Sequence, residues 1–287
     1  MKPMRNLARY LVFLAVLSCL AATVGAQSGT GSLALSAHVA PTGAAPEPVR
    51  QFTFYVLTKS YDDILKEVEA QDALPTRDEF IEKWHCSPEL KKWMKEHKTI
   101  DLGTPDIEPM LTPDDIMKIP EFFDAYERFN SGGVAKGLPQ PKYKESDKQN
   151  NPARYQKQHD EYLAETRHYI EANPSTVQGI ELKLDDVNPQ PAWNKLHSEH
   201  RRNVARLAPT TAQLKYLAGK ADTDLDGRAS ISGLPAGTYW VSSLGLDATS
   251  GDRRLIWDVQ AKVMAGQTTR LELSNLNASD LKPYSAP

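Results

Sequence analysis

The segment Asp222–Val241 (DTDLDGRASISGLPAGTYWV) constrains the fold of this chain more than any other stretch. It contains an acidic turn that ends at Gly227, a short alternating stretch, a Gly-Leu-Pro-Ala-Gly turn and a second alternating stretch. Short strands separated by turns rich in Gly, Pro and Asp are typical of antiparallel β-sandwiches. The segment therefore predicts part of a small β-sandwich.

Strand patterns occur in two blocks that lie far apart in the chain. About 150 residues separate the blocks, which is far too long for a loop and indicates a folded insertion. The predicted strands are 33–39, 49–57, 212–222, 228–231, 237–246, 255–264 and 268–273. We therefore predict an α+β chain in which a seven-stranded Greek-key β-sandwich is interrupted by a mostly α-helical insertion.

Helix signals fill the insertion. Thr76 and Glu79 form a capping-box pattern, in which each side chain accepts a hydrogen bond from the other residue's backbone amide. Ser87-Pro88 and Thr112-Pro113 each place a capping residue before a proline at the first helical position. Further helices are predicted at 120–130, ending at Gly132-Gly133, at 152–172 after Asn151-Pro152, and at about 192–207.

The N-terminus has the pattern of a secretory signal peptide. Lys2, Arg5 and Arg9 precede the apolar run 10–20, and small residues lead to a predicted cleavage site after Ala26. Cleavage there predicts an exported protein, periplasmic or extracellular. An alternative is cleavage before Cys19, which would make the chain an outer-membrane lipoprotein with a lipid anchor at Cys19.

These patterns divide the chain into five predicted segments. They are a signal peptide at 1–26, the first part of the sandwich at 27–59, a helical insertion subdomain at 60–211, the second part of the sandwich at 212–276 and a C-terminal tail at 277–287.

Charge and composition exclude some partners. Removal of the three basic residues of the leader lowers Lys+Arg from 34 to 31 against 37 Asp+Glu, so the mature chain carries a net charge of −6. Such a chain has no global attraction to nucleic acid or anionic lipid, and no second apolar run predicts a transmembrane helix. Cys86 is the single cysteine of the mature form, and we expect a buried, apolar role for it.

Three carboxylates at alternate positions, Asp222, Asp224 and Asp226, are weak candidates for a metal site. With Gly227 they match the first half of a calcium loop, but Gly233 stands where the bidentate glutamate of an EF-hand belongs. The favoured interpretation is a hairpin turn in which the aspartates bond local amides.

Histidines on a predicted helix are a second candidate for a metal site. His197 and His200 lie three residues apart and share a helix face, beside Arg201 and Arg202. Because no zinc motif accompanies them, a solvated polar face is favoured.

Aromatic side chains offer a binding hypothesis. Trp and Tyr rings stack on sugars or anchor protein interfaces when they are exposed. The alternative is packing between helix and sandwich. The candidate ligand-binding aromatics are Trp240 and Trp257 on predicted strands and Tyr155, Tyr162 and Tyr169, which form a stripe on the longest helix.

A family resemblance rests on the residues of the second block. Residues 224–241 and the stretch 265–275 (AGQTTRLELSN) resemble the carboxypeptidase regulatory-like domain, which is grouped with transthyretin-like (prealbumin) and collagen-adhesin B-type sandwiches. The resemblance implies a non-catalytic accessory or ligand-binding module. It departs from isopeptide-linked adhesin domains, because residues 33–39 contain no Lys that could pair with Asn275.

The sequence therefore predicts an exported, non-catalytic binding or structural protein of the cell envelope. The helical insertion is the expected surface for a protein or glycan partner, and no cofactor and no catalytic residue is predicted. The alternatives are a carbohydrate-binding module that uses the aromatics and a metal-dependent hydrolase.

Overall fold

The computed structural model describes residues 29–131 and 136–280. The predicted signal peptide, Cys19, the Gly132-Gly133 helix stop and the tail beyond 280 lie outside these residues. Within them the chain is a mixed α+β protein with antiparallel sheets, as the sequence predicts. No helix of the described part is long and apolar enough to cross a membrane.

The chain divides into two compact units. One combines the residues up to 72 with those from 203 onward, and the other consists of 73–202. We call the unit that contains the strands the strand unit and the other the helical unit. The sequence predicts an insertion at 60–211, but in the structure the helical residues at each end of that range belong to the strand unit.

Eleven strands are present in the described part of the strand unit. They are β1 (Thr30–Val39), β2 (Glu47–Pro48), β3 (Thr53–Leu57), β4 (Leu217–Asp222), β5 (Arg228–Pro235), β6 (Gly237–Ser242), β7 (Ala248–Ser250), β8 (Arg253–Ile256), β9 (Asp258–Val263), β10 (Thr268–Leu273) and β11 (Ser279–Asp280).

These strands form three sheets. In the first, β1 pairs with β5 and β2 antiparallel and with β10 parallel. The second has the order β4-β3-β6-β9 and is antiparallel throughout. The third is a small sheet in the order β11-β8-β7. Both segments of the sequence that carry strand patterns thus contribute to the first two sheets.

Alternation along the strands accounts for the main core. Leu33, Leu35, Ala37 and Val39 of β1 are buried, while the residues between them are partly exposed. This period of two is the one expected for a strand with a single buried face. Side chains from the first and second sheets share one hydrophobic cluster, which includes Trp257.

A second core in the strand unit joins helices to a sheet. It contains Leu57 of β3 together with Ile64 of helix α1 (Tyr61–Gln71) and Ala208 of helix α8 (Gln190–Thr211). The boundary between the two units falls within α8. This core lies against β3 of the second sheet and fixes the position of the N-terminus of α1.

The predicted strand start at Ala212 is wrong, because Ala212–Tyr216 is a π-helical turn and β4 begins at Leu217. Ala208 and Ala212 are four residues apart and are both fully buried in the second core. The apolar contact therefore keeps this segment helical beyond the end of α8.

The helical unit is built from capped helices around its own core. The Thr76 capping box is confirmed, as are the Ser87, Thr112 and Asn151 caps. Its remaining helices are α2 (Arg77–Lys83), α3 (Pro88–Glu96), α4 (Pro113–Lys118), α5 (Pro120–Asn130), α6 (Asp147–Asn150) and α7 (Pro152–Ala172), with 3₁₀ turns at Pro105–Met110, Pro174–Val177 and Ile180–Lys183. Trp93, Phe122 and Tyr126 lie in its hydrophobic cluster.

Candidate binding pocket in the strand unit

A cavity of about 320 Å³ lies in the strand unit where α1, α8 and two strand ends meet. Tyr61 and Leu65 of α1, Leu244 and Gly245 of the turn after β6, Ala205 of α8 and Trp257 contribute to its walls. Most of these surfaces are apolar, which is the usual character of a small-molecule site. We call this cavity the Tyr61 pocket.

The turn that forms one wall has an unusual backbone. Leu244 has a φ of 51° and Gly245 a φ of 77°, and the left-handed region costs a leucine about 1 kcal/mol. The Ser242 hydroxyl accepts a hydrogen bond from the Leu244 amide (3.1 Å) and stabilises this conformation. The Leu244 side chain is buried, so its packing offsets the backbone cost.

Asp258 is the polar side chain that the fold holds in place at the pocket. Its Oδ2 atom accepts hydrogen bonds from the backbone amides of Tyr61 (2.7 Å) and Asp62 (3.4 Å). These amides are at the N-terminus of α1, where Ser60 also caps the Asp63 amide. A carboxylate is favoured there because the helix N-terminus has a partial positive charge.

Burial has the opposite and larger effect on Asp258. It raises the pKa of this carboxyl to about 6, while the two backbone hydrogen bonds lower the pKa in part. Asp62 adds repulsion in the same direction as burial. Burial, with a contribution from Asp258, also raises the pKa of the Tyr61 hydroxyl to about 12. The pocket is therefore a poorly solvated environment that contains a titratable carboxyl group.

The charge around the Tyr61 pocket has one sign. Asp62 and Asp258 line it, and among the described residues that line it none is Lys, Arg or His. Two exposed leucines adjoin lining residues in the sequence: Leu246 follows Gly245 and is 57% exposed, and Leu276 precedes Asn277 and is 97% exposed. The pocket thus combines apolar lining residues with negative charge.

The aspartates of the acidic turn bond local amides, as the favoured interpretation predicts, but the turn is not a hairpin, because β4 pairs with β3 in the second sheet and β5 pairs with β1 in the first. Oδ1 of Asp224 accepts hydrogen bonds from the amides of Asp226 (2.9 Å) and Arg228 (2.8 Å). Asp222 accepts one from the Thr53 hydroxyl, and Asp226 lies 3.9 Å from the Arg228 guanidinium. The three carboxylates therefore have separate local partners, and they are not part of any metal-binding group of three acidic, His or Cys side chains among the described residues.

The two candidate tryptophans have different surroundings. Trp257 is 2% exposed, and its ring packs edge-on against Phe54 with centroids 5.7 Å apart. Its indole N–H donates to the Ser274 carbonyl (3.2 Å), so it is a core residue, and it is also among the residues that line the Tyr61 pocket. Trp240 is partly exposed on β6.

The tyrosine stripe holds chain segments of the helical unit together. Tyr162 is buried and donates a hydrogen bond to Glu127 of α5. Tyr155 donates to Glu145 (3.0 Å), and Tyr169 donates to the Lys136 carbonyl (2.8 Å). All three hydroxyls are thus used in attaching other segments to α7, and the partly exposed rings of Tyr155 and Tyr169 remain the accessible part of the stripe.

The remaining candidates have structural surroundings. His197 packs on Trp193, with ring centroids 4.2 Å apart, and mainly burial lowers its pKa. His200 is buried on the same helix. Cys86 is half-buried, and burial followed by the nearby Glu121 raises the pKa of its thiol to about 11. A reactive thiolate is therefore rare at neutral pH.

A carboxyl pair in the helical unit gives a prediction about stability. Glu181 is 6% exposed, and burial together with the neighbouring Glu108 raises its pKa. A raised carboxyl pKa means that stability is lost as pH rises through it. We expect Glu181→Gln to raise the melting temperature by about 2–4 °C at pH 7.5 and to have no such effect near pH 4. Thermal melts test this, with exposed Glu199→Gln as a control that is neutral at both pH values; an equal gain at pH 4 would contradict the assignment.

Tyr61, Asp258 and the Leu244-Gly245 turn are not among the site residues predicted from the sequence. One signal was present: Asp258 is an acidic residue between Trp257 and Val259 in a strand pattern, where an apolar or neutral residue is usual. Its partners could not be inferred, because α1 lies almost 200 positions earlier in the chain. The chain matches no protein-family model, no curated protein and no solved structure.

Proposed function

We propose that this chain is an exported, non-catalytic binding protein of the cell envelope and that the Tyr61 pocket takes a small, largely apolar ligand. The scaffold is proposed to be a transthyretin-like sandwich of the carboxypeptidase regulatory-like kind, with seven principal strands in Greek-key order. The turn motifs of residues 224–241 support this fold assignment, as does the core shared between the first and second sheets.

The observation that carries the binding proposal is the composition of the Tyr61 pocket. Its walls include Leu65, Leu244 and Trp257, and the half-buried carboxyl of Asp258 is already oriented by two backbone amides. Apolar walls with a few fixed polar groups are the pattern of binding sites that are formed before the ligand arrives. A volume of about 320 Å³ suits a ligand of up to three rings.

A fluorescent probe tests whether the pocket binds. N-phenyl-1-naphthylamine fluoresces strongly in apolar sites, and we expect saturable binding at one site per chain. Ala205 is exposed on α8 and lines the pocket, so Ala205→Trp fills the cavity without disturbing a buried side chain. We expect this variant to weaken probe binding at least about tenfold, which corresponds to 1.4 kcal/mol.

The matched control is Arg206→Trp, at an exposed position next to Ala205 that does not line the pocket. It adds the same side chain to the same helix and should leave probe binding unchanged. Equal binding by both variants and the unchanged protein would place the probe elsewhere and contradict the proposal.

Export is tested separately by the mass of the protein recovered from the expressing cells. The proposal predicts a chain that begins at Gln27, or a lipid-modified chain that begins at Cys19. Recovery of the full 287-residue chain from the cytoplasm alone would contradict it.

A further inference from the structure

We propose that the ligand of the Tyr61 pocket is a small organic ammonium ion with an apolar body. This inference rests on the proposed binding function and adds the chemical class of the ligand. It is carried by three properties of the pocket: the sign of its charge, its aromatic walls and its limited solvation.

The first argument is charge. The two acidic side chains of the lining are Asp62 and Asp258, and no basic side chain of the described lining balances them. A cation gains from both carboxylates, whereas an anion is repelled by both. Complementary charge is what selects one class of ligand among molecules of similar size.

The second argument concerns the walls. Tyr61 and Trp257 are two aromatic residues among those that line the pocket, and aromatic rings attract ammonium groups through their negative electrostatic potential. Leu65, Leu244 and Ile256 provide apolar surface for the remainder of the ligand. Carboxylates and aromatic rings near an apolar surface are complementary to an amine with a hydrocarbon body.

The third argument is the state of Asp258 without a ligand. Burial disfavours its ionised form, and its Oδ1 atom accepts no hydrogen bond of ordinary geometry. A bound cation would stabilise the ionised form, so the ligand relieves a cost that the empty pocket carries. Affinity and ionisation of Asp258 are therefore coupled, and binding should strengthen as pH rises through about 6.

Three probes of nearly equal size but different charge test which class of ligand the pocket prefers, separately from whether it binds at all. They are 2-phenylethylamine, the neutral 2-phenylethanol and the anionic 3-phenylpropionate, titrated calorimetrically into the whole chain. At pH 8 we expect the amine to bind about tenfold more tightly than the alcohol and the anion most weakly. The amine stays protonated between pH 5 and pH 8, so its affinity should fall by about tenfold at pH 5 as Asp258 is protonated.

Variants complete the test. Asp258→Asn should lower the affinity for the amine far more than the affinity for the alcohol and so remove most of the preference, and Asp62→Asn should have a smaller effect in the same direction. Equal affinities for amine and alcohol, or an unchanged preference in both variants, would overturn the ammonium assignment while the binding function stands. Failure of all three probes and of N-phenyl-1-naphthylamine would overturn both.

Discussion

Asp258→Asn should make the strand unit more stable at neutral pH. The folded-state pKa of about 6 lies above the ordinary value of 3.8 for an aspartate, so the folded protein binds this proton more tightly than the unfolded chain does. Stability from Asp258 is therefore fully present at low pH and is lost as pH rises through about 6. Each pKa unit corresponds to about 1.36 kcal/mol. When the pH is raised from 4 to 7.5, the free energy of unfolding of the variant should therefore increase by about 2 kcal/mol relative to that of the unchanged protein.

Asparagine suits this test because its side-chain oxygen can still accept from the Tyr61 amide, while it carries no charge to desolvate. Denaturant melts of both proteins at several pH values give the difference directly. Asp247→Asn is a control of opposite sign, since the hydrogen bond and ion pair with Arg254 lower the Asp247 pKa. That variant should lose stability above pH 4. A pH-independent difference for Asp258→Asn would show that burial does not perturb this carboxyl.

Gly227→Ala should be among the most damaging single-methyl additions in the strand unit. Gly227 has a φ of 74°, which costs alanine about 1 kcal/mol. A Cβ atom at this position would also overlap the carbonyl oxygen of Ala37. The backbones of Gly227 and Ala37 cannot move apart freely, because the Ala37 amide donates a hydrogen bond to the Gly227 carbonyl (2.8 Å). We expect a loss of about 3 kcal/mol in the free energy of unfolding, measured by denaturant melts.

Gly233, which lies in β5 six residues after Gly227, provides the matched control. Its φ is 76°, yet a Cβ atom there would meet nothing within 4 Å. Gly233→Ala should therefore cost only the backbone term of about 1 kcal/mol. Equal losses in the two variants would mean that the contact between Gly227 and β1 contributes nothing. A larger loss at Gly227 identifies this close approach, and not metal binding, as the reason that the acidic turn ends in glycine.

Local features of the fold could be predicted from the sequence because short-range physics determines them. The caps at Thr76 and Ser87 depend on residues two or three positions away, and the alternation in β1 follows from one buried face. The acidic turn likewise closes on its own backbone, through Asp224. In each case the pattern and its physical cause lie within about ten residues.

The pocket could not be predicted because its parts are distant in the chain. Tyr61 begins a helix, Ala205 lies near the end of another and Asp258 opens a strand, and only the folded chain brings them together. Trp257 shows the same limit. Its strand position was predicted, but the sequence does not reveal that its ring packs against Phe54 or that the residue lines a cavity.

A titration of the ¹⁵N-labelled chain, followed by amide and indole resonances, tests the central claim most directly. With 2-phenylethylamine, and in parallel with 2-phenylethanol, the signals of Tyr61, Gly245 and the Trp257 indole should shift with one common dissociation constant, lower for the amine. The Trp93 indole, in the core of the helical unit, should stay unchanged. Saturable shifts elsewhere with these three signals unmoved would contradict the assignment of the Tyr61 pocket as the binding site.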